Sequence, residues 1–154
     1  DPNPDFYYGL NVKLSYKNWD FGFNGHGSFG YKVFNDFASN NSTAYFDVNA
    51  GNLPNFATAV KRTGFTQISG DYQFFSDFYL EDASFFRLDD INVGYTIKEI
   101  GNWAGSVRIA ASCQNVLVLT NYSGIDPEIN STDGVDRTFW PRPRTFSVRL
   151  NVNF

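Results

Sequence analysis

Residues able to do bond-making chemistry are few in this sequence. His26 is the only histidine and Cys113 the only cysteine. Nucleophilic catalysis needs a Ser or Cys held against a base and an orienting group. His26 falls on the polar parity of its segment with no such arrangement around it, so no catalytic residue is assigned. A lone Cys113 cannot form an internal disulfide, and no metal-type cysteine spacing exists. Asp126, Glu128, Asp133 and Asp136 share one polar stretch with Asn130 and Gly134. Carboxylate oxygens suit calcium, but the spacing matches no EF-hand loop. A solvated acidic loop is expected, with no metal and no cofactor. Tyr122 and Trp140 flank that loop, where their rings could stack on a sugar, support a partner or anchor at an interface. Tyr122, Asp126 and Trp140 are candidate outer-loop contacts to substrate or partner, with interface anchoring the favoured role for Tyr122 and Trp140.

The segments that position these residues read as strands. From Thr145 on, Phe146, Val148, Leu150, Val152 and Phe154 alternate with Thr145, Ser147, Arg149, Asn151 and Asn153. Successive side chains of a strand project to opposite faces, so this segment has one apolar and one polar face. Residues 6–16 repeat the pattern, and a second long run follows from Trp19 after the polar turn Lys17-Asn18. Two such runs joined by so short a turn predict a β-hairpin. Strands are expected at 6–16, 19–34, 84–97, 105–118 and 144–154, with long polar loops at 35–83 and 119–142. Within the first loop, Pro54 to Arg62 reads as a short helix and Phe65–Phe75 as a further short strand. The phase of the third strand slips at Asp89-Asp90, where a β-bulge would restore its faces.

The aromatic share is 19% and Met is absent. No run approaches the roughly 18 apolar residues of a transmembrane helix, but transmembrane barrels show no such run either. A scattered net charge of −4 argues against a nucleic-acid partner. The chain starts at Asp1 without a signal peptide, so it reads as a mature product or a piece of a longer polypeptide.

Connections alternate short, long, short, long, as in an outer-membrane barrel with short periplasmic turns and long outer loops. That order places Tyr16, Trp19, Tyr95 and Trp103 at one level, and Phe6, Phe34, Phe85 and Trp140 near the other. Lipid interfaces select two such aromatic belts. The inward polar set would be Lys13, Asn24, Lys32, Arg87, Arg108 and Arg149. Five strands are fewer than the roughly eight of the smallest bacterial barrels. The expected fold is therefore all-β, an incomplete transmembrane barrel completed by the rest of its own polypeptide or by other chains.

Four stretches carry a more specific resemblance. They are residues 85–96 (FFRLDDINVGYT), 111–117 (ASCQNVL) with 122–128 (YSGIDPE), and 140–146 (WPRPRTF) leading to the terminal Phe. In this order they resemble the carboxyl-terminal end of SusC/RagA-family TonB-dependent outer-membrane transporters, over about residues 84–154. Residues 5–34 resemble the preceding hairpin more loosely. Cys113 stands where a small residue, commonly Gly, is expected. The resemblance implies a plugged barrel of about 22 strands, of which this chain supplies the last five, in the cell outer membrane. It implies import of oligosaccharides or peptides, without enzymatic activity. The implied partners are the amino-terminal barrel and plug, the TonB complex reached through that amino-terminal part, and a SusD-like surface lipoprotein. By resemblance to outer-membrane barrels generally, Phe154 is the carboxyl-terminal signal read by the insertion machinery. Two other readings remain open: a secreted carbohydrate-binding β-sandwich, and a protomer of an oligomeric β-barrel pore.

Overall fold

Alternation of this length, interrupted by turn residues, folds into long antiparallel strands in a computed structural model of the chain. The structure describes residues 1–42, 44–45, 58, 60–63, 66–67, 76–100, 104–129, 133–137 and 140–154. In chain order the elements are β1 (Phe6–Tyr16), β2 (Trp19–Phe29), β3 (Lys32–Asn35), α1 (Asp36–Asn41), β4 (Ala44–Tyr45), α2 (Val60–Thr63) and β5 (Thr66–Gln67). A 3-10 turn (Asp77–Tyr79) follows, then β6 (Leu80–Asp82), β7 (Phe85–Ile100), β8 (Ala104–Thr120), β9 (Val135–Asp136) and β10 (Thr145–Asn153). They divide into two compact units: residues 6–29, 85–120 and 142–154 in one, and 1–5, 30–84 and 121–141 in the other.

The first unit is one five-stranded antiparallel sheet, ordered β1-β2-β7-β8-β10. β1 and β2 pair from Tyr16↔Trp19 to Phe6↔Phe29 around the two-residue turn, where Lys17 adopts a left-handed φ of 55°. The register keeps one parity on one face through all five strands. Leu14, Phe21 and Val93 follow one another across β1, β2 and β7, and Ala111 and Val148 continue the row on β8 and β10. A slip of one residue in any strand would turn its apolar set over, so the shared hydrophobic face fixes the pairing.

The expected phase slip is a pair of neighbouring bulges. Opposite β2, Asp89 is the extra residue between Leu88 and Asp90. Opposite β7, β8 inserts one residue more between Gln114 and Leu117, and Asn115 there has a φ of 52°. Asn tolerates this left-handed conformation because its short side chain bonds locally. Its amide oxygen accepts from Arg87 Nη1 at 2.9 Å, its Nδ2 donates to the Arg142 carbonyl at 2.6 Å, and its own carbonyl accepts from Arg144 Nε at 3.4 Å.

The second unit gathers the long connections. β3 pairs antiparallel with β6 and parallel with β9, and β4 pairs with β5. Tyr31, Val33, Tyr79 and Ala83 form its buried apolar centre. Asn35 caps α1, its side chain accepting from the Ala38 amide at 2.9 Å. Here the expected strand 19–34 is corrected. β2 stops at Phe29, because Gly30 takes a left-handed φ of 80° where an added Cβ would strike Asp5. Phe34 and Lys32 therefore belong to β3 and to a different sheet. The expected helix over 54–62 and strand over 65–75 lie largely outside the described residues; α2 and β5 are the described parts.

Asn115 joins backbone geometry to side-chain bonding, and the two are separable. In the full-length protein, Asn115→Val should lower stability in detergent by about 2 kcal/mol or more, from left-handed strain plus lost bonds. Asn115→Gly should recover the strain part only. Thermal unfolding followed by circular dichroism distinguishes them, and equal effects would refute a strained backbone.

Candidate functional site

The five-stranded sheet presents two chemically different faces. On the polar one, Arg108 of β8 reaches across β7 to Asp20 of β2. Its Nε donates to Oδ1 at 3.0 Å and its Nη2 to Oδ2 at 2.5 Å, a bidentate pair. The bridge passes over Gly94, where an added Cβ would lie 2.5 Å from both Arg108 Nη2 and Asp20 Oδ1. Glycine at 94 is what lets the pair close across the middle strand. Near the bulge, His26 Nδ1 lies 2.7 Å from Asp89 Oδ2, and the His26 ring meets Phe85 edge-on. A depression of about 480 Å³ on this face is lined by Asp90, Asn92, Gln114, Ser147 and Arg149, with Arg108 at its side.

The apolar face is exposed over β1 and β10, where Leu10, Leu14, Phe146, Val148 and Leu150 have no cover among the described residues. At the short-turn end, Trp19 packs on Tyr95 at 4.7 Å and Lys17 Nζ sits over the Tyr16 ring. Three of the four residues expected in that belt thus cluster; Trp103 lies outside the described residues. At the other end the expected set is largely replaced. Phe6 is present, stacked with Tyr8, which in turn stacks on Phe29 and Phe86. Gly27 leaves the space, since an added Cβ would meet the Tyr8 ring at 2.7 Å.

Phe85 is not in that belt. It pairs with Ser28 and Thr120 on the polar parity, is 2% exposed and has Arg87 over its ring. Phe34 lies in β3 against Tyr79, as noted. Trp140 is strongly exposed, in the loop unit. Phe154 is 94% exposed just beyond β10. Tyr8, Phe29 and Phe86 were legible as outward parity but were not read as a belt.

Two expected loop contacts are corrected as well. Tyr122 and Asp126 are buried in the loop unit and hold it together. The Tyr122 hydroxyl donates to Asp136 Oδ2 at 2.7 Å, and Asp136 itself is fully enclosed. Burial pushes the Tyr122 phenol far above its usual range, and the adjacent Asp136 carboxylate adds to the effect, so the hydroxyl stays a donor. Asp126 caps its own turn, accepting from the Glu128 amide at 3.0 Å. Among the described residues no cluster of three His, Cys, Asp or Glu side chains could hold a metal ion. Glu81, which sequence reading passed over, is a hub. Its two oxygens accept from Asn35 Nδ2, from Ser123 Oγ and from the Ser123 amide at 2.7–3.0 Å.

Comparison with known proteins finds relatives over the whole chain. The sequence is 34% identical over 99% of its length to TonB-dependent receptor SusC of Bacteroides thetaiotaomicron, and 33% identical over its full length to TonB-dependent receptor P3 of Formosa agariphila. It spans only 15% and 17% of those two proteins. Among solved structures, the RagAB peptide importer in its closed-closed state matches 99% of the chain at a TM-score of 0.71 and 17% identity. The open-open state of the same importer matches at 0.69. No protein-family profile matches the chain.

The Tyr122–Asp136 bond makes a sharp expectation. Tyr122→Phe removes one donor from an enclosed carboxylate, costing about 1–3 kcal/mol. Hydrogen exchange across residues 121–137 of the full-length protein should quicken while β8 keeps its protection. Unchanged exchange would show the bond to be dispensable.

Proposed function

We propose, from the premise that this chain belongs to the SusC/RagA family of TonB-dependent receptors, that it forms a stretch of outer-membrane barrel wall together with two of the outer loops. The observation that carries this reading is the shared register of the two faces. An eleven-residue strand such as β1 rises roughly 33 Å at about 3.3 Å per residue. Tilted by about 40°, it covers roughly the 25 Å apolar band of an outer-membrane barrel. Aromatic clusters at both ends of β1 and β2 suit the two interfaces of that band. A secreted sandwich would need a second sheet of similar size to cover the apolar face. The other sheets among the described residues have three and two short strands.

The polar face, with Arg108, Asp20, Arg149 and the depression between them, then looks into the lumen, where a plug from the same polypeptide occupies the space. The imported cargo is an oligosaccharide or peptide, and the surface partner of the receptor is a SusD-like lipoprotein. The receptor is a transporter driven through the TonB complex, and chemistry on the substrate is no part of its task. Phe154, just beyond β10, is placed at the periplasmic rim of that wall.

Two measurements test this. Spin labels on single cysteines in a Cys113→Ala background of the full-length receptor should show oxygen-enhanced relaxation at positions 148 and 150. Positions 147 and 151 should not. Free access of a water-soluble nickel complex to 148 and 150 would overturn the wall assignment. Separately, Phe154→Ala should reduce the heat-modifiable, folded receptor in outer-membrane fractions, and an undiminished folded band would remove the assembly role of that residue.

A further inference from the structure

The last two strands of the sheet carry two guanidinium groups and no carboxylate. Across β8 and β10 the charged residues are Arg108 and Arg149 alone. Both lie on the polar face, where Arg149 pairs in register with Ala110, two residues along β8 from Arg108. Arg108 is taken up by Asp20, whose two carboxylate oxygens accept from its Nε and Nη2 across β7. Arg149 is exposed and, among the described residues, makes no hydrogen bond or ion pair.

Both arginines border the depression on this face, and Asp90 borders its other end. Asp90 pairs with Gln114 of β8, which pairs with Thr145, four residues along β10 from Arg149. At about 3.3 Å per residue and about 4.8 Å per strand, the two backbones stand roughly 16 Å apart, too far for a direct pair. Ala110, Ser112 and Ser147 line the space between, and their small side chains leave it open. Asp90 already accepts from Asn92 Nδ2 at 3.0 Å.

A guanidinium stays charged throughout the physiological pH range. In open water that charge is well hydrated. Once other chain fills the lumen the water leaves, and an enclosed charge without a partner is strongly unfavourable. A carboxylate offers the fork of Arg149 its bidentate match.

We infer that the depression is the seat of a segment of the same polypeptide, whose Asp or Glu side chain closes on Arg149 as Asp20 closes on Arg108. The chain spans only 15% and 17% of two of its relatives, so a receptor of that length has most of its polypeptide outside these strands. An anionic cargo would meet Asp90 as a like charge. A polypeptide suits both ends, bringing a carboxylate to Arg149 and an amide donor to Asp90. The inference rests on the wall reading and names the group that this wall holds from inside.

The test uses the full-length receptor in detergent with Arg149→Lys, which puts a primary amine where wild type has none. A carbodiimide joins an amine directly to a neighbouring carboxylate, so peptide mapping identifies the partner. The amine at position 149 should be joined to an Asp or Glu amino-terminal to β1 and outside the barrel strands. Arg149→Glu should speed protease cleavage of that segment by about tenfold or more, as a local opening made easier by a lost charge pair. The heat-modifiable folded band should be the same in all variants, and Arg149→Lys should be cut at close to the wild-type rate. An amine at 149 that stays uncoupled and open to a water-soluble acetylating reagent would overturn the seat. Coupling to a wall strand or to a second polypeptide, or equal cleavage of wild type and Arg149→Glu, would do the same. Such a failure with positions 148 and 150 in lipid removes the seat and leaves the wall; water at 148 and 150 removes both.

Discussion

Inside a bilayer no water is available to complete a backbone hydrogen bond, and each amide or carbonyl left open costs several kcal/mol. That constraint governs the whole arrangement. Within the five-stranded sheet β2, β7 and β8 have neighbours on both sides, with ladder positions left open at the bulges and beyond the partners' ends. β1 and β10 each have a neighbour on one side only. In lipid their outer edges need further strands, and a closed barrel supplies them. The long apolar face, the two aromatic clusters and the single register all follow once a closed wall is required.

The two faces solve different problems with the same strands. Outward positions are apolar and make few specific bonds, so exact neighbours matter less than keeping parity. Inward positions are polar and tied to one another: Asp20 with Arg108, His26 with Asp89, Arg87 with Asn115. These ties cross strands and so hold the register from the polar side as the shared apolar row holds it from the other. The bulges at Asp89 and Asn115 fall where this network is densest, and Asn115 extends it to the segment leading into β10.

Much of the wall was legible because strand periodicity is a local property. β1 was read to the residue, and the phase slip at Asp89-Asp90 located the bulge, since no other device returns Ile91, Val93 and Tyr95 to the face of Phe86 and Leu88. Errors came where a local pattern met a non-local decision. Tyr31 and Val33 keep the alternation of β2, but Gly30 breaks the strand and sends the chain, Phe34 included, into another sheet. Phe85 has an aromatic neighbour in Phe86 of opposite parity, and only pairing shows which of the two faces outward. Tyr122 and Asp126 look like solvent contacts in a polar stretch. Their burial depends on Asp136 and on a turn bond that no periodicity encodes. Glu81 has no sequence signal at all, because a hub is made by the partners that converge on it.

Gly94 carries a consequence for how this sheet can change over time. Its bare backbone is the bed on which the Asp20–Arg108 bridge lies, so positions 20, 94 and 108 are not free to vary independently. A side chain acquired first at 94 would collide with both partners. Loss of the bridge first would open the site to larger residues, and return to glycine would then have little selective pull. The order of substitutions matters, because three positions on three different strands share one local geometry.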